Sequence, residues 1–262
     1  MLNTFKRYEK KYLLSPANFN NLMDRLTHYM KPDKFCREGR HYTIYNIYYD
    51  TENHDIIRHS LSKPYYKEKL RLRSYTVPEN PNDTVFLELK KKIGGVVSKR
   101  RAEMTRAEAC DFIEKGIAPE KSGYLNEQVI KEIAQFLKRY DIMPKVFISY
   151  ERMAFFGKDN KDFRVTFDSN IKTRRSNLFL EEGAWGKNLI SEDQYLMEIK
   201  IPGAIPLWLS ETLSENQIYS SSFSKYGAEY KNYCQQNPAR IFKIPRIPIL
   251  PTYTWQPNYG IL

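Results

Sequence analysis

The chain has 262 residues and carries 42 Lys and Arg against 31 Asp and Glu, a formal net charge of +11 that points to a polyanionic partner. A hydrophobic content of 41 % excludes a disordered polyelectrolyte, and the lack of any apolar run of about 18 residues leaves nothing to span a membrane. Cys36, Cys110 and Cys234 are odd in number and far apart, so neither a disulfide framework nor a zinc site is expected; with no apolar leader in MLNTFKRYEK, the expected location is cytoplasmic.

Residues 4–13 read as a strand. Ser15 as N-cap and Pro16 at the first helical position then predict a helix with an apolar face of Phe19, Leu22, Met23 and Leu26. Residues 42–49 are β-branched and aromatic, a strand, and a short helix is expected through 55–57. Residues 66–75 alternate: Lys67, Lys69, Arg71 and Arg73 point one way, while Tyr66, Glu68, Leu70, Leu72 and Ser74 point the other. Residues 84–92 alternate too, with Val85, Leu87 and Leu89 opposite Phe86, Glu88 and Lys90. Gly94 and Gly95 form a turn, and 96–104 return as the second arm of a hairpin.

Thr105 and Glu108 form a capping-box pattern before a helix to about Gly116. A longer amphipathic helix is predicted over 125–139, with Val129, Ile130, Ile133, Phe136 and Leu137 inward. Residues 145–156 are a strand containing Glu151 and Arg152. Residues 162–168 set Phe163, Val165 and Phe167 against Arg164, Thr166 and Asp168, and 195–201 set Met197, Ile199 and Ile201 against Glu198 and Lys200. Helices follow at about 205–217 and after Ser224. From about 236 the chain turns rich in Pro and aromatic residues, so the expected organisation is a domain over 1–235 and an extended tail over 236–262.

The basic residues sit inside the strands. Residues 63–75 hold five cations against one carboxylate, and 88–101 hold six against one. One such strand would simply place its charges in water. The pattern recurs on at least five strands, however, and mixes acid with base at i and i+2: Glu9 with Lys11, Glu88 with Lys90, Glu198 with Lys200. That predicts an α+β fold built on a closed antiparallel β-barrel with a charged lumen, its apolar outer face covered by helices. A lumen of unpaired cations repels itself and is reasonable only around a polyanion. Arginine forks suit phosphate oxygens, and the carboxylates suit a divalent metal.

KEKLRLRSY, FLELKKK–GVVSKRR, YERMAF, FRVTFDSNI, LMEIKIPGAIPLWL and SFSKYGAEY, after a first strand of the EKKY type, together resemble the VTC domain, in order from about residue 5 to 232. This is the polyphosphate polymerase domain of vacuolar transporter chaperone complexes, within the CYTH-like, triphosphate tunnel metalloenzyme superfamily. The resemblance implies an eight-stranded tunnel. It also implies transfer of the γ-phosphate of ATP, or another nucleoside triphosphate, to inorganic polyphosphate, assisted by Mn²⁺ or Mg²⁺. By position, it implies catalytic roles for Arg71, Arg73, Lys90, Arg152, Arg164 and Lys225, and metal binding by Glu198 and Glu9. Substrate-binding roles fall to Lys11, Lys69, Lys200 and the KRR run, where parity pairs Lys99 with Arg101 and leaves open which residue faces the tunnel.

This sequence departs from the superfamily in two places. Its hydrolases open with E-x-E-x-K, whereas the same frame here reads Arg7-Tyr8-Glu9-Lys10-Lys11, which lowers the expectation of plain hydrolysis. Eukaryotic members join the domain to an SPX sensor and membrane helices, which this chain lacks, so no translocating complex is implied and a membrane-protein partner stays undefined.

Three other functions compete. A non-catalytic polyphosphate or nucleotide binder would bind without turnover, and a metal-dependent triphosphatase would release orthophosphate without polymer. A nucleic-acid binder would need cations on an open surface with stacking aromatics, and the alternation with carboxylates speaks against it. Individual residues also have plainer readings. Glu9 would merely pair with a cation, Lys10, Lys91 and Lys92 would be solvated, and Asp168 would be a turn residue. Tyr66, Phe86 and Trp208 would be packing groups, and the four histidines lack ligand spacing.

Overall fold

A computed structural model describes residues 8–36, 41–120 and 124–238. Residues 4–7 of the expected first strand, Arg7 included, and residues 239–262 of the expected 236–262 tail lie outside the described residues. In chain order the elements are β1 (Tyr8–Leu14), α1 (Pro16–Tyr29), β2 (Met30–Pro32), β3 (Tyr42–Asp50), α2 (Asp55–Leu61), β4 (Tyr66–Ser74), β5 (Thr84–Ile93), β6 (Val96–Thr105), α3 (Arg106–Lys115) and α4 (Tyr124–Arg139). There follow β7 (Met143–Gly157), β8 (Arg164–Arg174), β9 (Lys187–Asn188), β10 (Tyr195–Ile201), α5 (Leu207–Glu215), β11 (Ser220–Ser221) and α6 (Lys225–Gln236).

The local signals act where the sequence places them. Ser15 Oγ accepts from the Asn18 N–H and starts α1, while Thr105 and Glu108 close a reciprocal capping box that starts α3. Gly94 and Gly95 both have positive φ, as the tight β5–β6 hairpin requires.

All strand pairs are antiparallel, in the order β11-β1-β10-β8-β7-β3-β4-β5-β6, with β2 beside β7 and β9 beside β8. The described residues form an eleven-stranded sheet where eight strands were expected; eight of the eleven are seven residues or longer. Among the described residues the sheet does not close into the expected barrel. Closure would need the outer edge of β1 to pair with β6, but Ser220 and Ser221 of β11 already take that edge opposite Lys11 and Tyr12. The sheet instead curls into an open trough. Register shifts in β3 and β7 add to its natural twist, and the Glu9 side chain on β1 reaches Lys90 on β5 at 3.7 Å.

Two apolar clusters cover the convex face. Leu70, Leu72, Val85, Leu87 and Leu89 pack under Phe112 of α3 and Ile133 and Phe136 of α4. Tyr12, Leu14, Val165, Phe167, Met197 and Ile199 pack under Leu22 and Leu26 of α1 and Leu209 and Leu213 of α5. A third cluster lies on the concave side, where Ile44, Tyr48, Ile148, Tyr150 and Leu196 meet Ile57 of α2 and Tyr226 of α6. Asp50 ties that cluster together: its carboxylate accepts from the Ile56 and Ile57 N–H groups at the start of α2 and from the Tyr226 hydroxyl. Among the described residues no helix is long and apolar enough to cross a membrane.

Candidate functional site

Because strand side chains alternate, the apolar convex face fixes what lines the trough. Lys11, Lys69, Arg71, Arg73, Lys90, Lys99, Arg101, Arg152, Arg164 and Lys200 all lie opposite the buried apolar positions of their own strands. Lys225 joins them from the first residue of α6. These are the cations expected from the sequence, and the fold brings them to one surface. Arg100 turns the other way and meets Glu132 of α4 at 3.1 Å, so the parity of the KRR run holds.

Three carboxylate centres organise the charge. Glu88 is almost fully buried. Its Oε1 accepts from Arg101 Nε at 2.6 Å and lies 2.9 Å from Lys99 Nζ; its Oε2 accepts from Arg71 Nε at 2.7 Å and lies 3.7 Å from Arg73. Burial pushes the Glu88 carboxyl up, but these four cations outweigh it and hold the group far below the usual carboxylate range. Asp168, fully buried, accepts both forks of Arg152 at 2.6 and 2.8 Å and the Lys225 ammonium at 2.5 Å. Burial again pushes up, and Arg152 and Lys225 pull the carboxyl down.

The third centre is the pair Glu9 and Glu198. Lys11 Nζ stands between them at 3.3 and 3.6 Å, Lys200 holds Glu198 at 2.6 Å, and Lys90 holds Glu9 at 3.7 Å. Burial and the neighbouring Glu198 push Glu9 up, while Lys90, Lys11 and Lys200 bring it below its ordinary value. Glu198 lies well below its own, with burial opposed by Lys200, Lys11 and Arg152.

Two tyrosines complete the floor. Tyr48 accepts from Arg71 at 3.0 Å, and Tyr150 accepts from Arg73 at 2.9 Å. Lys69 has no carboxylate partner among the described residues; burial, with Lys67, Lys90 and Lys11 nearby, lowers it to about 8. Among the described residues the carboxylate nearest Arg164 is Asp33, at 4.0 Å; its guanidinium lies over the Phe156 ring, and its Nε is buried without a hydrogen-bond partner. Cations thus outnumber the carboxylates they surround by more than two to one.

The VTC domain family model matches residues 6–233, most of the chain. The chain belongs to the VTC domain family. A Bacillus halodurans protein named as a candidate adenylate cyclase aligns over 88 % of this chain and 98 % of its own, at 14 % identity and a TM-score of 0.50, which shows a shared fold. A Vibrio parahaemolyticus protein of the same description (86 % and 97 % covered, 11 % identity, TM-score 0.43) and the Mimivirus capping enzyme triphosphatase (82 % and 88 %, 11 %, 0.32) are more distant and add nothing to that. Comparison with curated protein sequences gives no match.

The family resemblance stated from the sequence implies a divalent metal. Among the described residues of this VTC domain no three His, Cys, Asp or Glu side chains gather to hold one. Glu9 and Glu198 nevertheless converge on Lys11, and Thr166, paired with Glu198 across β10 and β8, has a buried hydroxyl with no partner. Two carboxylates and a spare hydroxyl are hard oxygen donors, and a small hard cation commonly takes its remaining ligands from water and substrate phosphates, so the residues fit.

Several plain readings of single residues need correction. Asp168 is no turn residue: the strand runs on to Arg174 through a register shift, with Asn170 in the left-handed region. Lys91 is not simply solvated, since it meets Glu132 at 2.9 Å. Asp168, Tyr48 and Tyr150 escaped the sequence-based site set. For Asp168 the signal was present, because it shares parity with Arg164 and Thr166.

Proposed function

We propose that this VTC domain is a polyphosphate polymerase that moves the γ-phosphate of ATP onto inorganic polyphosphate bound along the trough. The observation that carries this reading is the surplus of cations on one concave surface, held in place by buried carboxylates. An oxygen of the acceptor's terminal phosphate attacks the γ-phosphorus, the bond from γ-phosphorus to the β,γ-bridging oxygen breaks, and ADP leaves with that electron pair. Little covalent help is needed for such a transfer; positioning and neutralisation of charge dominate.

The residues divide that work. Arg71, Arg73 and Arg101 present N–H groups around Glu88 and would grip phosphate oxygens from one wall. Arg152, Arg164 and Lys225 would grip from the other, while Lys11, Lys69, Lys90, Lys99 and Lys200 supply charge along the chain's path. Glu198 and Glu9 would hold a divalent ion, which when bound neutralises phosphate charge.

Polymer synthesis is favoured over hydrolysis by the state of the acids. An acceptor phosphate oxygen is already anionic and needs no base, whereas water must lose a proton. Glu9, Glu88, Asp168 and Glu198 are all held below their ordinary pKa by cations and are poor bases. Arg7, in place of the first acid of the hydrolase motif, points the same way.

The test is incubation of the full chain with ATP and Mn²⁺, with products resolved by size and stained for polyphosphate. A ladder of polymer, lost in Glu198→Gln and Arg73→Ala, is expected. Orthophosphate without polymer would make it a triphosphatase, and binding without turnover a binding module.

A further inference from the structure

At one end of the trough the lining changes from charged to aromatic. Tyr42 opens β3, Tyr75 follows the last residue of β4, Phe86 lies near the start of β5, and Phe35 lies just after β2. Their rings follow one another at an angle, Phe35 to Tyr42 at 6.0 Å, Tyr42 to Tyr75 at 6.2 Å and Tyr75 to Phe86 at 5.5 Å between centres. Phe35 is 61 % exposed and Tyr75 37 %. Among the described residues, Phe35, Tyr75 and Phe86 pack into none of the three apolar clusters. Tyr42 packs against the third cluster and anchors the arc, while the other three rings are not explained by the packing of the apolar clusters.

This arc is joined directly to the phosphate-gripping surface. The Arg101 guanidinium lies 4.6 Å from the centre of the Phe86 ring, donates to the Tyr75 hydroxyl at 2.7 Å, and grips Glu88. On the other side, Asp33 accepts from the Phe35 N–H at 2.7 Å and faces Arg164 at 4.0 Å. A nucleoside triphosphate has the matching division, with a flat uncharged base at one end and a dense anion at the other.

On the reading of the trough as a triphosphate site, we infer that the arc of Phe35, Tyr42, Tyr75 and Phe86 seats the nucleobase of the donor, with its triphosphate running inward past Arg101 and Arg73. The rings offer flat faces, and the tyrosine hydroxyl of Tyr75 is already engaged by Arg101, so recognition is by stacking. Stacking tolerates any base with a π-face, so the donor site accepts purine triphosphates without strong choice between them. The arc also fixes direction: the γ-phosphate points into the trough, and the acceptor chain must approach from the opposite end.

The experiment is calorimetric titration of the full chain with a non-hydrolysable ATP analogue and, separately, with inorganic tripolyphosphate. Phe35→Ala is the first variant, because its side chain is largely exposed. Phe86→Leu, which keeps apolar bulk while removing the ring under Arg101, is the second. Each should weaken the ATP analogue by about five- to tenfold and leave tripolyphosphate within about twofold. Equal losses for both ligands, or none for the ATP analogue, would overturn the nucleobase seat while leaving the triphosphate site standing. Failure of the unaltered chain to bind either ligand would remove the triphosphate reading itself and the seat with it.

Discussion

Replacing Glu88 with Gln keeps its shape and removes one negative charge from beneath four cations. The Glu88 side chain is 1 % exposed, with Arg71, Lys99 and Arg101 within 2.9 Å and Arg73 at 3.7 Å. Taking one partner from a buried ion pair costs about 3–5 kcal/mol, because charge is left buried and uncompensated. Lys99 and Arg101 are 42 % and 32 % exposed, so water screens part of the repulsion and the lower figure, about 3 kcal/mol, applies. For a domain of this size that is a fall of roughly 6–12 °C in Tm. Thermal unfolding with and without tripolyphosphate reads the effect. The anion should restore more stability to Glu88→Gln than to the unaltered chain, since it supplies the missing negative charge. The pH dependence adds a second check. A carboxyl held low in the folded state contributes its stability above the unfolded value near 4.3, and loses it as pH falls toward the folded value. The gap between variant and parent should therefore narrow below about pH 4. A variant as stable as the parent at neutral pH, or one that gains less from tripolyphosphate, would refute this account of the trough.

Asp168→Asn should cost a further-reaching 3–5 kcal/mol or so, because it frees both Arg152 and Lys225; hydrogen exchange should rise along α6 in particular. Lys69→Met should leave the unliganded fold as stable or more so, since Lys69 has no carboxylate partner among the described residues, yet weaken tripolyphosphate binding. Lys69 is lowered to about 8 in the fold, so the unfolded chain holds more protons between about pH 8 and 10.4. The parent should gain stability over that interval while losing anion affinity, and the variant should show a shallower change in both. Ser15→Ala removes only the cap of α1. It should lower stability by about 1 kcal/mol in denaturant unfolding and leave polymer formation unchanged.

Much of the trough was legible because it depends on a period of two. Once Leu70 and Leu72 are inward, Arg71 and Arg73 must share the other face, and the same logic places Glu88 with Lys90 and Lys99 with Arg101. Thr105 and Glu108 were legible because a capping box is local. The open seam was not, because it depends on which segment reaches the edge of β1, and Ser220 and Ser221 carry no pattern to announce it. The role of Asp168 was hidden similarly. Lys225, its partner, is 57 residues away and arrives on a helix, and the strand that holds Asp168 continues through a kink at Asn170 that breaks its alternation.

The open seam has a consequence for any linear ligand. A closed ring of strands admits a long chain only by an end, which must be found and fed through. Among the described residues no backbone ladder joins β6 to β11, and the Glu9–Lys90 ion pair across the curl is made of side chains, with Lys90 43 % exposed. Such a latch opens by rotamer change, without breaking a peptide hydrogen bond. A long anion could thus be seated along the trough from its side, with only its reacting end held in place, as a thread is laid in a slotted guide.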